Sequence, residues 1–140
     1  VQNPLKKQIG GSHYKTMVIQ PIEYTHQNGL SFIAGCIVKR LSRYNHPTGK
    51  GLEDIEKALH ELDILIDQHR KGFVYDANTE QAIRASEFCT ANNIDGKRRK
   101  IIEKLTAYYH AEPLLKYLSD AREALDELLQ ELVDVTPVHS

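Results

Sequence analysis

Two short stretches carry the residue types that hold phosphate. Gly10-Gly11-Ser12-His13-Tyr14-Lys15 sets paired glycines, which let a backbone turn sharply and approach an anion, directly before hydroxyl, imidazole and ammonium donors. Lys39-Arg40-x-x-Arg43 is followed by His46-Pro47-Thr48-Gly49-Lys50-Gly51. Lys39 and Arg43 are spaced i, i+4, hence one turn apart on the same side of a helix. Lys50 leads into the next helix, whose first turn offers free amides and the positive end of a dipole. Brought together, these groups would make a phosphate cradle. The plainer alternatives are an ordinary N-terminal loop and a solvated basic helix face. Thr48-Gly49-Lys50-Gly51 follows a helix rather than a strand, so it does not read as a P-loop.

Carboxylates come next, with Glu53, Asp54 and Glu56 opening the following helix and Glu61 and Asp63 beyond them. Acids in a first turn favour the helix through its dipole and need no other role. Glu53-x-x-Glu56 resembles half of the metal-binding pattern of all-α nucleoside triphosphate pyrophosphohydrolases, but the ExxD candidates, Glu123 to Asp126 and Glu131 to Asp134, lie far downstream. The 7 histidines form no HxxxH or HExxH pair, so no metal site is expected. His13 stands apart because it lies among phosphate-type donors. Cys36 and Cys89 have no CxxC spacing, which argues against a disulfide scaffold or zinc knuckle and fits a reducing cytoplasm. No GxSxG motif, nucleophile triad or aromatic–basic ribbon is present. Lys97-Arg98-Arg99-Lys100 opens an amphipathic helix and reads as solvated surface, so nucleic acid is not expected as a partner.

The elements that must position these groups are helices. Pro21 suits a first turn, and Gly29 stops that helix after about two turns. Ser31 caps a second helix with Phe32, Ile33, Cys36, Ile37 and Leu41 on its apolar face. Leu52, Ile55, Leu59, Leu62, Ile66 and His69 form a seam of alternating three- and four-residue steps, ended by Gly72. Asn78 or Thr79 is expected to cap a shorter helix to about Ala91, and Asp95 one from Lys97 to about His110. Pro113 opens a last helix along Leu114, Leu118, Ala121, Leu125, Leu128 and Leu132, and Pro137 closes it. The fold class is all-α: about six helices, two of them long and amphipathic, with an irregular basic N-terminal loop and short extended pieces at 16–19 and 73–75. The organisation divides near residue 76. Residues 1–75 form a basic, nucleotide-binding-like module, and 76–140 a helical region that shares its core or forms an oligomer interface. At about 60 to 70 residues, either part alone would be marginal.

The whole chain has 140 residues, 41% apolar and 26% charged, which excludes wholesale disorder. No apolar run approaches the ~18 to 20 residues of a membrane span, and the first residues do not read as a secretory signal. The net charge of −1 hides a division along the chain. Residues 1–50 carry seven bases against one acid, residues 51–96 four against ten, and residues 97–140 seven against eight. Two accounts fit: an anionic ligand for the basic third, or basic and acidic helices pairing within the fold or across an oligomer.

Read together, several motifs resemble a family of small tailed-phage proteins that includes an atypical nucleotide kinase lacking a P-loop. They are Ser12-His13-Tyr14-Lys15, Gln20-Pro21-Ile22-Glu23-Tyr24, Phe32-x-x-Gly35-x-Ile37-Val38-Lys39, Arg43 and Gly49-Lys50. Leu52-Glu53-Asp54-Ile55-Glu56-Lys57-Ala58-x-x-x-Leu62-Asp63-x-Leu65-Ile66 completes the set. The resemblance covers residues ~10–70 and leaves 76–140 unmatched. It implies phosphoryl transfer from a nucleoside triphosphate to a deoxynucleoside monophosphate, with or without Mg2+, by a homo-oligomer in the cytoplasm of an infected bacterial host. Carried over, it assigns catalytic positions to Lys39, Arg43 and Asp54, and substrate or phosphate binding to His13, Tyr14, Lys15, Lys50 and Lys57. Two positions depart from the family pattern: Cys36 stands where asparagine is commoner, and Arg40 where tyrosine is. The competing expectations are a non-catalytic phage protein that sequesters a nucleotide, as an anti-defence factor would, and a helical protein that binds a host factor.

Overall fold

Local signals set most of the helix boundaries. Glu23 reaches back to accept the Gln20 amide at 3.0 Å, and Pro21 fills the first turn, so α1 runs Pro21–Gln27 and stops before Gly29 at φ 61°. Ser31 Oγ accepts from the Ala34 amide at 3.2 Å and starts α2, Phe32–Arg43. Then follow α3 (Leu52–Arg70), α4 (Ala85–Ala91), α5 (Gly96–His110) and α6 (Leu115–Val135). The computed structural model describes residues 3–14, 16–74, 77 and 79–135. Among these residues it is all-α, with six α-helices and no strand.

Several details differ from the sequence reading. The buried stripe of α2 is Ala34, Ile37, Val38 and Leu41, whereas Phe32 is 85% exposed and Ile33 and Cys36 are half-buried. The helix is rotated because it must meet α1 as well as α3. Gly35 lets Thr25 of α1 come so close that a Cβ there would lie 2.5 Å from the threonine methyl. In α3 the stripe likewise includes Ala58 and Leu65, with Leu59 only half-buried.

The fourth helix begins at Ala85 rather than near Thr79. Thr79 to Ala82 close a turn, and both backbone groups of Ile83 are held by the Asn28 side chain, at 2.7 Å and 2.9 Å. That clamp takes the donor and acceptor a helix would need. Residues 16–19 form turns and bends rather than a strand, with Ile19 bracketed in the same way by Asn92. Phe73 and Val74 are irregular; Tyr75, Asn78 and Pro137 lie outside the described residues.

One cluster of buried side chains takes contributions from both parts of the chain. Tyr24 of α1 stacks on Phe88 of α4 at 4.3 Å, and its hydroxyl meets Thr106 Oγ1 of α5 at 2.6 Å. α3 packs on both α2 and α6, and α5 packs along α6. Ile101, Ile102, Leu105, Leu118 and Leu125 fill the centre with no exposure.

Candidate functional site at the junction of two loops

Thr48 ties the two phosphate-like stretches together. Its Oγ1 accepts from the Ser12 amide at 3.3 Å and lies 2.7 Å from His13 Nδ1 and 3.0 Å from His46 Nδ1. The Thr48 amide donates to His46 Nδ1 at 3.1 Å. Loops some 35 residues apart in sequence are therefore locked at one hydroxyl. Gly11 makes the approach possible, since its φ is 90° and a Cβ would sit 2.9 Å from Thr48 Oγ1. His13 is 8% exposed and packs edge-on against the Tyr14 ring at 4.1 Å. Burial, then the nearby Arg43 charge and His46, lower its pKa below the ordinary histidine value of 6.5.

Behind this junction lies a buried ion pair. Asp54, with no exposure, sits in the first turn of α3. Its carboxylate accepts from Arg43 Nη2 at 2.8 Å, from Arg43 Nε at 3.0 Å and from the Lys50 amide at 2.9 Å. Arg40 Nη1 adds a contact at 3.5 Å. Burial opposes the negative charge, but the Arg43 hydrogen bonds, the Lys50 amide and both guanidinium charges outweigh it and hold the carboxyl below its usual range. The same bonds raise the Arg43 pKa. Arg43 Nη1 turns the other way, 3.4 Å from the Tyr14 hydroxyl, and burial raises the tyrosine pKa. Gly49 is needed here too: a Cβ would lie 2.0 Å from the Arg43 carbonyl oxygen.

The structure thus brings His13, Tyr14, Arg43 and Asp54 into one chain of contacts, with Lys50 joined through its amide. It does not bring Lys57 there; that ammonium pairs with Glu53 on the exposed side of α3 at 2.9 Å. Lys39 forms no ion pair among the described residues, nor does the Lys50 side chain. Lys15 lies outside the described residues. Arg40, which stood out in the sequence only as a departure, binds Glu61 at 2.5 Å as well as Asp54. No group of three or more His, Cys, Asp or Glu residues among the described ones could hold a metal ion.

Beside His13 opens a cleft of about 420 Å³. His13, Asn45, His46, Asn92, Asn93 and Arg98 are among the residues that line it. The sequence reading placed Arg98 on solvated surface. Instead its guanidinium donates to the Leu41 carbonyl at 3.0 Å and lies over the Tyr44 ring at 5.4 Å. Arg98, Asn93, His46 and Thr48 are the residues missed. Thr48 and His46 stand inside a stretch already suspect, whereas nothing local marks Asn93, and Arg98 stood only in a basic run read as solvated surface. The two reach the cleft through the packing of α5 and of the connection before it. No helix of the described residues is long and apolar enough to cross a membrane. No family model, curated protein or solved structure matches the chain.

Proposed function

We propose that the chain binds nucleotide phosphates at the loop junction and, as the resemblance to the phage kinase family implies, transfers a phosphoryl group from a nucleoside triphosphate to a deoxynucleoside monophosphate. The observation that supports this is the Thr48 lock, which places the loop of His13 and Tyr14 against Arg43. Phosphoryl transfer asks for positioned donors and cations more than for covalent chemistry. The acceptor is itself a phosphate oxygen, ionised at neutral pH with a second pKa of about 6, so no general base has to activate it. Asp54 then acts as a positioning residue, fixing the Arg43 guanidinium. Lys39 and Lys50, which form no ion pair among the described residues, are ammonium groups available to meet phosphate oxygens. A homo-oligomer in the cytoplasm of an infected bacterium is the setting the same resemblance implies.

A second reading is binding without turnover, as in a sequestering protein. The saturation of Asp54 by Arg43, Arg40 and the Lys50 amide favours it, because two of the cations nearest the junction already have a carboxylate. Incubating the protein with a nucleoside triphosphate and dTMP or dGMP separates the two. Diphosphate formation, lost in Lys39→Ala and Arg43→Ala, supports the kinase; nucleotide affinity without diphosphate supports sequestration. A chain that binds no nucleotide leaves the helical seams and a host protein partner as the reading to pursue.

A further inference from the structure

The cleft beside His13 carries more than an anion needs. Of the described residues lining it, none is an aspartate or glutamate, in a chain with 19 acids. Its polar groups are imidazoles, asparagine amides, the hydroxyls of Thr16 and Ser42 and one guanidinium, and Met17, Val18 and Pro47 supply apolar surface. Several of these polar groups have internal partners: Asn92 holds Ile19, Arg98 holds the Leu41 carbonyl, Ser42 donates to the Val38 carbonyl, and His13 and His46 both meet Thr48 Oγ1. Asn45 and Asn93 are exposed, and their side chains form no hydrogen bond with any described residue. Asn93 adopts φ 56°, a left-handed conformation that asparagine tolerates better than most residues.

We infer that this cleft is the nucleoside subsite of the nucleotide site, with Asn45 and Asn93 reading the ring edge. A carboxamide presents a donor and an acceptor side by side, which matches a heterocycle edge with the complementary pair. The apolar wall suits the face of the ring, and the lack of carboxylates suits a ligand whose phosphates lie at the His13 end. Asn93 belongs to the part of the chain beyond the family resemblance. On this account the C-terminal region sets which nucleotide is taken. The inference rests on the proposed phosphate site.

The test is calorimetric titration of the full chain with the four deoxynucleoside monophosphates, inorganic tripolyphosphate and ribose 5-phosphate. Variants are Asn45→Ala and Asn93→Gly, the latter keeping the left-handed backbone. Each is expected to weaken the preferred nucleotide about tenfold, the worth of a lost ring-edge pair, while tripolyphosphate affinity stays within about twofold. Equal loss for tripolyphosphate, unchanged nucleotide affinity in both variants, or ribose 5-phosphate binding as tightly as a nucleotide would each overturn the subsite. If the unmodified chain bound neither tripolyphosphate nor nucleotide, the phosphate site itself would fail and the subsite with it. Binding of both by variants indistinguishable from the parent would sink the subsite alone.

Discussion

Asp54 is a carboxylate that holds two guanidinium groups and a loop amide in fixed positions. It has no exposure, and two guanidinium groups and a backbone amide fill its oxygens. Removing one side of such a pair leaves an uncompensated charge, so Asp54→Ala is expected to cost about 3–5 kcal/mol in urea unfolding. Arg43→Ala should cost less when added to it than alone, which a double-mutant cycle measures. Because the folded pKa of Asp54 lies below its ordinary value of 3.8, its stabilisation is present above that value and is lost as pH falls through the lower one. His13 works over a different window. Its folded pKa is depressed below 6.5, so its contribution is complete above 6.5 and fades as acid forces a proton onto a buried ring. The imidazole NMR titration should therefore have its midpoint below 6.5 in the free protein and, under the proposed function, move up on addition of phosphate. The loss of thermal stability between about pH 7 and 5.5 should be smaller in His13→Asn. A midpoint at or above 6.5 in the free chain would contradict the burial that positions this ring.

Among the elements, the loop between α2 and α3 bears most of the geometry. Gly49 packs against the carbonyl that ends α2, and a methyl group there would meet Arg43 O at 2.0 Å. Gly49→Ala is expected to destabilise by about 1–3 kcal/mol and, under the proposed function, to weaken nucleotide binding, because the loop cannot move without moving Thr48 and Arg43. Equal melting temperatures for variant and parent would show that the approach is not tight. The helices themselves follow from their periodicity: α1, α3 and α5 begin and end within a residue or two of their cap and glycine signals. The start of α4 does not, because its limit is set by Asn28, which lies some 55 residues away in sequence. Side-chain clamps of this kind leave no local trace, and neither does the rotation of α2 that exposes Phe32.

For the molecule as a whole, the charge division has two answers. Arg40 and Arg43 of the basic third meet Asp54 and Glu61 of the acidic third, so much of the asymmetry is α2 pairing with α3. Lys6, Lys7, Lys39 and Lys50 form no ion pair among the described residues, and they keep a positive character on that part of the surface. The core crosses the division expected near residue 76. Tyr24 is held by Phe88 and Thr106, and α3 packs on α6. A fragment of residues 1–75 should accordingly show no cooperative thermal transition by circular dichroism, whereas the full chain should show one. A folded fragment would mean that the first three helices bury enough apolar surface by themselves.

Helix content and helix order follow from the order of residues, because caps, breakers and apolar periods act within a few positions. The suspicion that falls on His13, Tyr14 and Arg43 comes from residue type and spacing, and that on Asp54 only from the family resemblance. Which cations stay free of carboxylates, that Thr48 joins two loops, and that Asn93 and Arg98 reach the same cleft were decided by the packing of α2, α3 and α5. Those contacts depend on helix rotation and on groups tens of residues apart, and no local pattern encodes either.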